Sequence, residues 1–452
     1  MRILIACHSF FPQSHAGTET LAKEVGLNLQ KLGHEVAILA PKPNYASEQI
    51  IEPSMEQESC EGLQVFRFSS PRIGSDQPLH DVLSFRNSTL RILYRDLLTV
   101  FKPDILHVFH LMHISGVLLE EAKRSNIPIV FTPTDFWLIC PTYQLLNWLD
   151  EDCTEHSLSD CVRCLLAERL NASYFPRSRL RSYLEDLETA KKDNPEFENF
   201  EKILFERDLY VRSLFSLCDR VLPANSMMKS MLVSRGLIEN ETPVVPFGAP
   251  ALINQLFAEK KALPQQSKIH VGFIGTVRRS KGLHVLLEAV EKLPRNHPFT
   301  FSIYGTVHEH HYFEQMRLKI RKLPEVHFRG TFPSQEVEKR LSELDLLVIP
   351  SIWHENTPLI AYSAMHTKTP VICSDTSGLA DAVYGYQGGI TFPKGDSAAL
   401  AGLLLGIIKN PSQIEEWSRR ILPVPTTVDY TNSLLAHYET LSALHRQTLR
   451  HL

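Results

Sequence analysis

The chain has 452 residues, 43% of them hydrophobic and 22% charged, with a formal net charge of −4. That length is long for a single core and points to two domains. The near-neutral balance offers no basic surface for nucleic acid, and no apolar run reaches the roughly 18 to 20 residues that span a bilayer. The apolar start "MRILIACHSFF" is too short for a signal peptide and lacks a small-residue cleavage site, so it reads as the first buried strand of a cytoplasmic protein.

In chain order, "RILIAC" gives a strand, "HSFFPQSHAG" a loop, "TETLAKEVGLNLQKLG" a helix and "HEVAILA" a second strand, which together make a βαβ unit. Further strands read at "LQVFRF", "DILHVF" and "PIVFTP". Near-continuous apolar strands flanked by helices imply a doubly wound parallel sheet. "CDRVLPAN", the helix "SMMKSMLVSRG" and "PVVPFG" close this half, residues 1–248. Within it, residues 140–215 carry a cysteine cluster and a long charged helical stretch, and read as an insertion.

A polar segment at 249–267 reads as a linker, after which the α/β pattern restarts with "KIHVGFIG" and runs through 268–428. The helix at 429–452 is expected to pack back on the first half. Two doubly wound halves joined by a linker put a ligand cleft between them, facing the C-terminal ends of the strands.

Three stretches carry chemistry. In "FIGTVRRSKGLHVLLEAV", Lys281 precedes a helix start, where unpaired N–H groups already favour anions, so it suits a diphosphate; the alternative is a solvated loop lysine. In "SIWHENTPLIAYSAMH", Glu355 is placed to accept from sugar hydroxyls, and Pro358 suits the first turn of a helix whose Leu359 and Ile360 amides are free for phosphate. In "LHVFHLMHISG", His107, His110 and His113 crowd a strand end, where one of them serves as a base or hydroxyl partner; each taken singly is more often a packed or surface histidine.

The cysteines fall into two groups. Cys7, Cys60, Cys218 and Cys373 are scattered and read as reduced thiols. Cys140, Cys153, Cys161 and Cys164 lie within 25 residues and end in CxxC, which suits structural, tetrahedral Zn2+ with His156 as a spare ligand. Free thiols, an iron–sulfur cluster and disulfides stay open beside it. Arg177, Arg179 and Arg181 beside Phe175 suit contact with anionic headgroups at the inner face of the cell membrane, the alternative being a solvated helix face.

Taken together, "GTETLAKEVGLNLQKLGHEVAIL", "PDILHV", "VPFG", "IG…KGLHVLLEA" and "LDLLVIPSIWHENTPLIAYSAMHTKTPVICSD" resemble the family-4 retaining glycosyltransferases of the GT-B fold over nearly the whole chain. Some relatives carry segments similar to "DFWLICP" followed by the cysteines. The resemblance implies two Rossmann-like domains and sugar transfer from a UDP-, GDP- or dTDP-type donor to a glycan or lipid-linked acceptor with retention, without a catalytic metal. It makes Glu355 the first acid of the E-x7-E motif, Lys281 the diphosphate lysine, His110 a third catalytic residue and Gly17 part of the N-terminal glycine loop. Thr276, Arg278, Arg279, Gly305, Asn356, Thr357, Pro358, Leu359, Ile360 and Ser363 would complete the donor site, and His107, His113 and Asp135 the acceptor side. The chain departs from the motif at Ser363 (second acid), Thr276 (arginine), Ala16 (glycine), Thr134 (histidine) and in its His-x-His, where the candidate shifts to His110. The competing reading is a weak or inactive homologue that binds a sugar nucleotide or a partner.

Overall fold

A computed structural model describes the whole chain apart from residues 13, 15, 48, 74–76, 154–156, 170–181, 183–194, 251–259, 261–266 and 451–452. His156, the Phe175 and Arg177–Arg181 patch and most of the expected linker lie outside the described residues. The chain divides into two compact units, one of Met1–Pro246 with Thr427–Leu452 and one of Phe247–Thr426.

The first unit is built on a seven-stranded sheet in the order β3-β4-β2-β1-β5-β6-β7. Its strands are β1 Arg2–Ala6, β2 Glu35–Ser47, β3 Ser54–Cys60, β4 Leu63–Pro71, β5 Ile105–Val108, β6 Ile129–Phe131 and β7 Arg220–Val221. Apart from the antiparallel β3–β4 pair, all neighbours run parallel. Strands such as β5 and β6 are buried along their whole length because helices cover both faces, which is why they read as unbroken apolar runs.

The helix Gly17–Lys31 buries Leu21, Ala22, Val25 and Leu29, the spacing of one helical face. It packs against the last helix, Thr427–Arg450, where the Asn28 side chain reaches the Thr431 hydroxyl at 3.5 Å. In the inserted region, helices Leu158–Arg169 and Pro195–Phe215 share a small separate core that includes Val162, Leu165, Phe197, Phe200 and Leu204.

β3 is absent from the sequence reading. Its residues, "SMEQESC", are mostly exposed, so they carry no apolar run to betray an edge strand. What fixes it is the two-residue turn Glu61-Gly62, whose φ angles of 54° and 82° match the twist of a tight hairpin. "PVVPFG" forms no strand; Val245 makes one backbone bond, to Pro223, and the two prolines have no N–H to give.

The second unit holds a six-stranded, all-parallel sheet in the order β10-β9-β8-β11-β12-β13. These strands are β8 Ile269–Ile274, β9 Phe299–Tyr304, β10 Val326–Gly330, β11 Leu346–Ile349, β12 Val371–Ser374 and β13 Gly389–Phe392. β8 lies between β9 and β11, so the direction of winding reverses at β8, and ligands of such sheets bind where the order reverses. Among the described residues, no helix is long and apolar enough to cross a membrane.

Candidate active site

In the second unit the chemistry gathers at the C-terminal ends of β8 and β11. After β8 the chain turns through the single 3-10 turn Arg279–Lys281 into Gly282, which holds φ +73°. A Cβ at that glycine would sit 1.7 Å from the Pro350 carbonyl oxygen, so only glycine lets this turn press on the end of β11. The close approach delivers Lys281 to Glu355, Nζ to Oε1, at 2.6 Å. The same oxygen accepts from the Ser351 hydroxyl at 2.7 Å and the Trp353 indole N–H at 2.8 Å. The Lys281 ammonium also lies 4.7 Å from the centre of the Trp353 ring.

Burial alone would raise the Glu355 carboxyl, but the adjacent ammonium and the three hydrogen bonds outweigh it and hold the group below its ordinary value. Three donors converge on Oε1 and none of them on Oε2, which fixes the plane of the carboxylate. Ser351 and Trp353 had no assigned role in the sequence reading; their signal was position, four and two residues before Glu355 on one loop.

The other expected donor residues surround this pair. A Cβ on Gly305 would meet the Gly275 carbonyl at 1.8 Å, so the strand ends that carry Thr276 and Gly305 touch backbone to backbone. Arg278 lies 3.7 Å from the Glu309 carboxylate, which also accepts from the Arg279 amide at 3.0 Å. Asn356 and Pro358 are buried, and Thr357 is half-buried. Pro358 is the N-cap of the helix Leu359–His366 rather than its first helical residue, and no side chain caps that end, so the Leu359 and Ile360 amides begin it. Ser363 is buried one turn further in.

In the first unit, His110 and Asp135 follow β5 and β6. His110 Nε2 is 2.7 Å from an Asp135 oxygen, and His110 Nδ1 accepts the Met112 amide at 3.0 Å. Both ring nitrogens are therefore engaged, which makes His110 a fixed donor rather than a free base. Asp135 accepts the Trp137 amide through its other oxygen. A small pocket opens here, lined by Phe109, His110, Thr134, Asp135 and Trp137 among others.

His113 pairs with Asp81 at 2.9 Å. His107 does not join the group: it is fully buried, bound to the Tyr438 hydroxyl and, at 2.9 Å, to Thr132. Burial pushes it down to about 3, so it is a neutral core histidine tying β5 to the last helix. Gly17 opens its helix behind Ala16, which gives no side-chain cap.

The cysteines are electrical neighbours. Burial, with the neighbouring Cys140 adding to it, raises the thiols of Cys153 to about 11 and Cys161 to about 12. Cys164 behaves alike, and the buried Arg207 beside them is lowered to about 10 by its own burial. Among the described residues, however, no three His, Cys, Asp or Glu side chains are arranged to hold a metal ion. Cys161 and Cys164 share one helix while Cys140 and Cys153 lie on the preceding loops.

Two parallel-sheet α/β units of this kind define a GT-B protein. The model of the family described as "Glycosyltransferase Family 4" matches residues 15–167, and that of "Glycosyl transferases group 1" matches 255–421. Together they cover more than half of the chain, which belongs to the GT-B glycosyltransferases of family 4 and group 1.

Among curated relatives, a glycogen synthase of Mycobacterium tuberculosis is 27% identical over 157 residues, 34% of this chain and 38% of that protein. A 2-deoxystreptamine glucosyltransferase of Streptomyces kanamyceticus is 28% identical over 200 residues, 42% of this chain and 50% of that protein. The chain thus spans half or less of the length of these relatives. The solved sucrose-phosphate synthase of Thermosynechococcus elongatus aligns over 100% of both chains with TM-score 0.63 and 15% identity. HepE of Anabaena in complex with UDP also aligns over 100% of both, with TM-score 0.59 and 14% identity.

Proposed function

We propose that this chain transfers a sugar from a nucleotide-sugar donor to a hydroxyl of a glycan or lipid-linked acceptor, with retention of anomeric configuration. The observation that carries the reading is the Lys281–Glu355 pair at the ends of β8 and β11, inside the stretch matched as a glycosyl transferases group 1 domain. A nucleotide sugar offers a partner to each member of the pair: an anionic diphosphate for the ammonium and sugar hydroxyls for the carboxylate. As the bond to the diphosphate breaks, negative charge grows on the leaving phosphate, where Lys281 and the Leu359 and Ile360 amides meet it. Glu355, its plane set by Ser351 and Trp353, orients the sugar. The acceptor hydroxyl attacks from the same face, and its proton passes to an oxygen of the leaving phosphate.

Ser363 stands where the family has its second acid, which usually binds the ribose. A serine hydroxyl in place of a carboxylate forfeits a charged hydrogen bond, about 1.5 to 3 kcal/mol, or roughly tenfold or more in donor affinity. That substitution favours a second reading, a homologue that binds its sugar nucleotide without turnover. A thermal-shift screen against UDP-, GDP- and dTDP-sugars tests both, since a donor at about 100 times its Kd adds about 2.7 kcal/mol to the fold. Stabilisation by one nucleotide class together with transfer is the expected result. Stabilisation with no transfer or donor hydrolysis on a broad acceptor panel establishes the second reading, and no stabilisation by any of them sinks both.

Structural zinc at Cys140, Cys153, Cys161 and Cys164 remains a proposal of the sequence pattern. The nearness of the thiols, which raises those of Cys153, Cys161 and Cys164, supports it, and the lack of a ligand set among the described residues stands against it. Metal analysis of the purified chain is expected to find about one zinc, lost when Cys161 and Cys164 are both replaced by serine. Metal-free, folded protein would leave the four as free thiols. Attachment at the inner face of the cell membrane through Arg177, Arg179 and Arg181 is likewise a proposal.

A further inference from the structure

Among the described residues of the first unit, two adjacent polar groups, Glu19 and His8, hold buried atoms without hydrogen-bond partners. Glu19, in the first turn of the helix Gly17–Lys31, is 0% exposed, yet neither carboxyl oxygen has a hydrogen-bond partner. The Ser14 hydroxyl and the amides of Ala16 and Glu19 itself draw its carboxyl down against the larger effect of burial. Its nearest partner is His8, just past the end of β1, whose Nε2 lies 3.5 Å from Glu19 Oε1. His8 Nδ1 is shut off from solvent and unpartnered. The side chain is still 21% exposed, and Nδ1 is its only ring nitrogen shut off without a partner. A further orphan is close by: the indole N–H of Trp137, buried in the wall of the pocket beside His110, donates to nothing. Such groups cost about 1 to 3 kcal/mol each when left unpaired, which is why native interiors hold few of them outside functional sites.

The surroundings form two acid–histidine pairs lying ring to ring. The His8 and His110 rings are 4.2 Å apart and tilted by 40°. In one pair, His110–Asp135, every ring nitrogen is committed. In the other, His8–Glu19, the buried Nδ1 makes no hydrogen bond. The sheet explains the meeting, because β1 and β5 are parallel neighbours and His8 and His110 each lie two residues beyond their strand. A single hydroxyl oxygen at about 2.8 Å from both His8 Nε2 and Glu19 Oε1 would close a triangle with the 3.5 Å gap as its third side.

We infer that a hydroxyl of the acceptor binds between His8 Nε2 and Glu19 Oε1, closing the gap between them. The inference rests on the reading that this unit takes a hydroxylated acceptor. The electrostatics agree: burial, reinforced by His110 and His113, keeps His8 well below its ordinary value and therefore neutral, able to accept as well as donate. Burial pushes Glu19 up to about 7, with His110 opposing it, and the Cys7 thiol at the end of β1 feels the same carboxyl. Asp135 is bound to His110, the ring next to His8.

The test uses the whole chain with 15N-labelled histidines, D-glucose, D-galactose and D-mannose as probes, and UDP-, GDP- and dTDP-sugars as donors. The His8 ring signals are assigned by their loss in His8→Phe. Saturable shifts of the His8 signals on adding a sugar, with smaller changes at His110, are the expected result. Glu19→Gln, which keeps the shape, should weaken that sugar's binding about tenfold, the effect of one well-placed hydrogen bond. In transfer assays the same variant should raise the acceptor KM about tenfold and leave the donor KM in place. His8 signals that respond to no probe, or an unchanged acceptor KM in Glu19→Gln, overturn the inference. An active wild type with a silent His8 sinks this assignment alone, whereas a wild type that neither binds nor turns over any nucleotide sugar sinks the proposed function.

Discussion

Replacing Lys281 by methionine is expected to lower sugar transfer about a hundred- to a thousand-fold, the usual cost of removing one donor aimed at developing charge. The methionine chain fills the same space over Trp353 but brings no positive charge to the leaving phosphate. It also strips Glu355 of its ion-pair partner, leaving a buried carboxylate with only Ser351 and Trp353 to bind it. Breaking a fully buried pair costs about 3 to 5 kcal/mol and an exposed one about 0 to 1. Lys281 is 23% exposed, so about 1 to 3 kcal/mol is the expected loss.

The pH dependence follows from the sign of the shift. The Glu355 carboxyl is held below its ordinary 4.5 in the folded chain, so it contributes stability above that pH and loses it as pH falls through the folded value. The gap in stability between wild type and Lys281→Met should therefore be widest near neutral pH and narrow in acid. Glu355→Ala is expected to abolish transfer with the fold intact. Near-normal turnover in either variant would remove these two residues from the site.

The second large effect concerns stability alone. Glu19 has an ordinary value of 4.5 and is pushed up to about 7 by burial. A raised folded value means that its contribution is complete below 4.5 and is lost as pH rises through about 7. At about 1.4 kcal/mol per unit, the loss is on the order of 3 kcal/mol. Glutamine at this position does not titrate. Urea unfolding of wild type and Glu19→Gln should thus show the difference moving by about 3 kcal/mol between about pH 4 and about pH 8, in favour of the variant at the higher pH. A difference that stays constant with pH would mean that the carboxyl does not titrate as a buried acid.

Much of the fold was readable along the chain because buried parallel strands leave unbroken apolar runs such as "ILHV" and "LLVI" between amphipathic helices. The exposed β3 left no such trace. Lys281 and Glu355 were readable as types, a cation at a turn and an acid before a helix. The three histidines in and after β5 were not separable by the same means. A strand buried on both faces shows no alternation, so nothing in "LHVFHLMH" says that His107 enters the core while His110 turns to Asp135.

The sequence by itself determined the α/β class, the order of the elements and the residues able to meet a phosphate or a hydroxyl, since these depend on local periodicity and side-chain chemistry. Only the tertiary structure decided which of them meet. β8 pairs with β11, and that pairing brings together Lys281 and Glu355, 74 residues apart in the chain. β1 pairs with β5, and that pairing sets the His8 ring against His110, with the buried Glu19 beside His8. Both are neighbours across a sheet rather than along the chain, and strand order is set by how the whole sheet buries its faces, a property that no short stretch of residues carries.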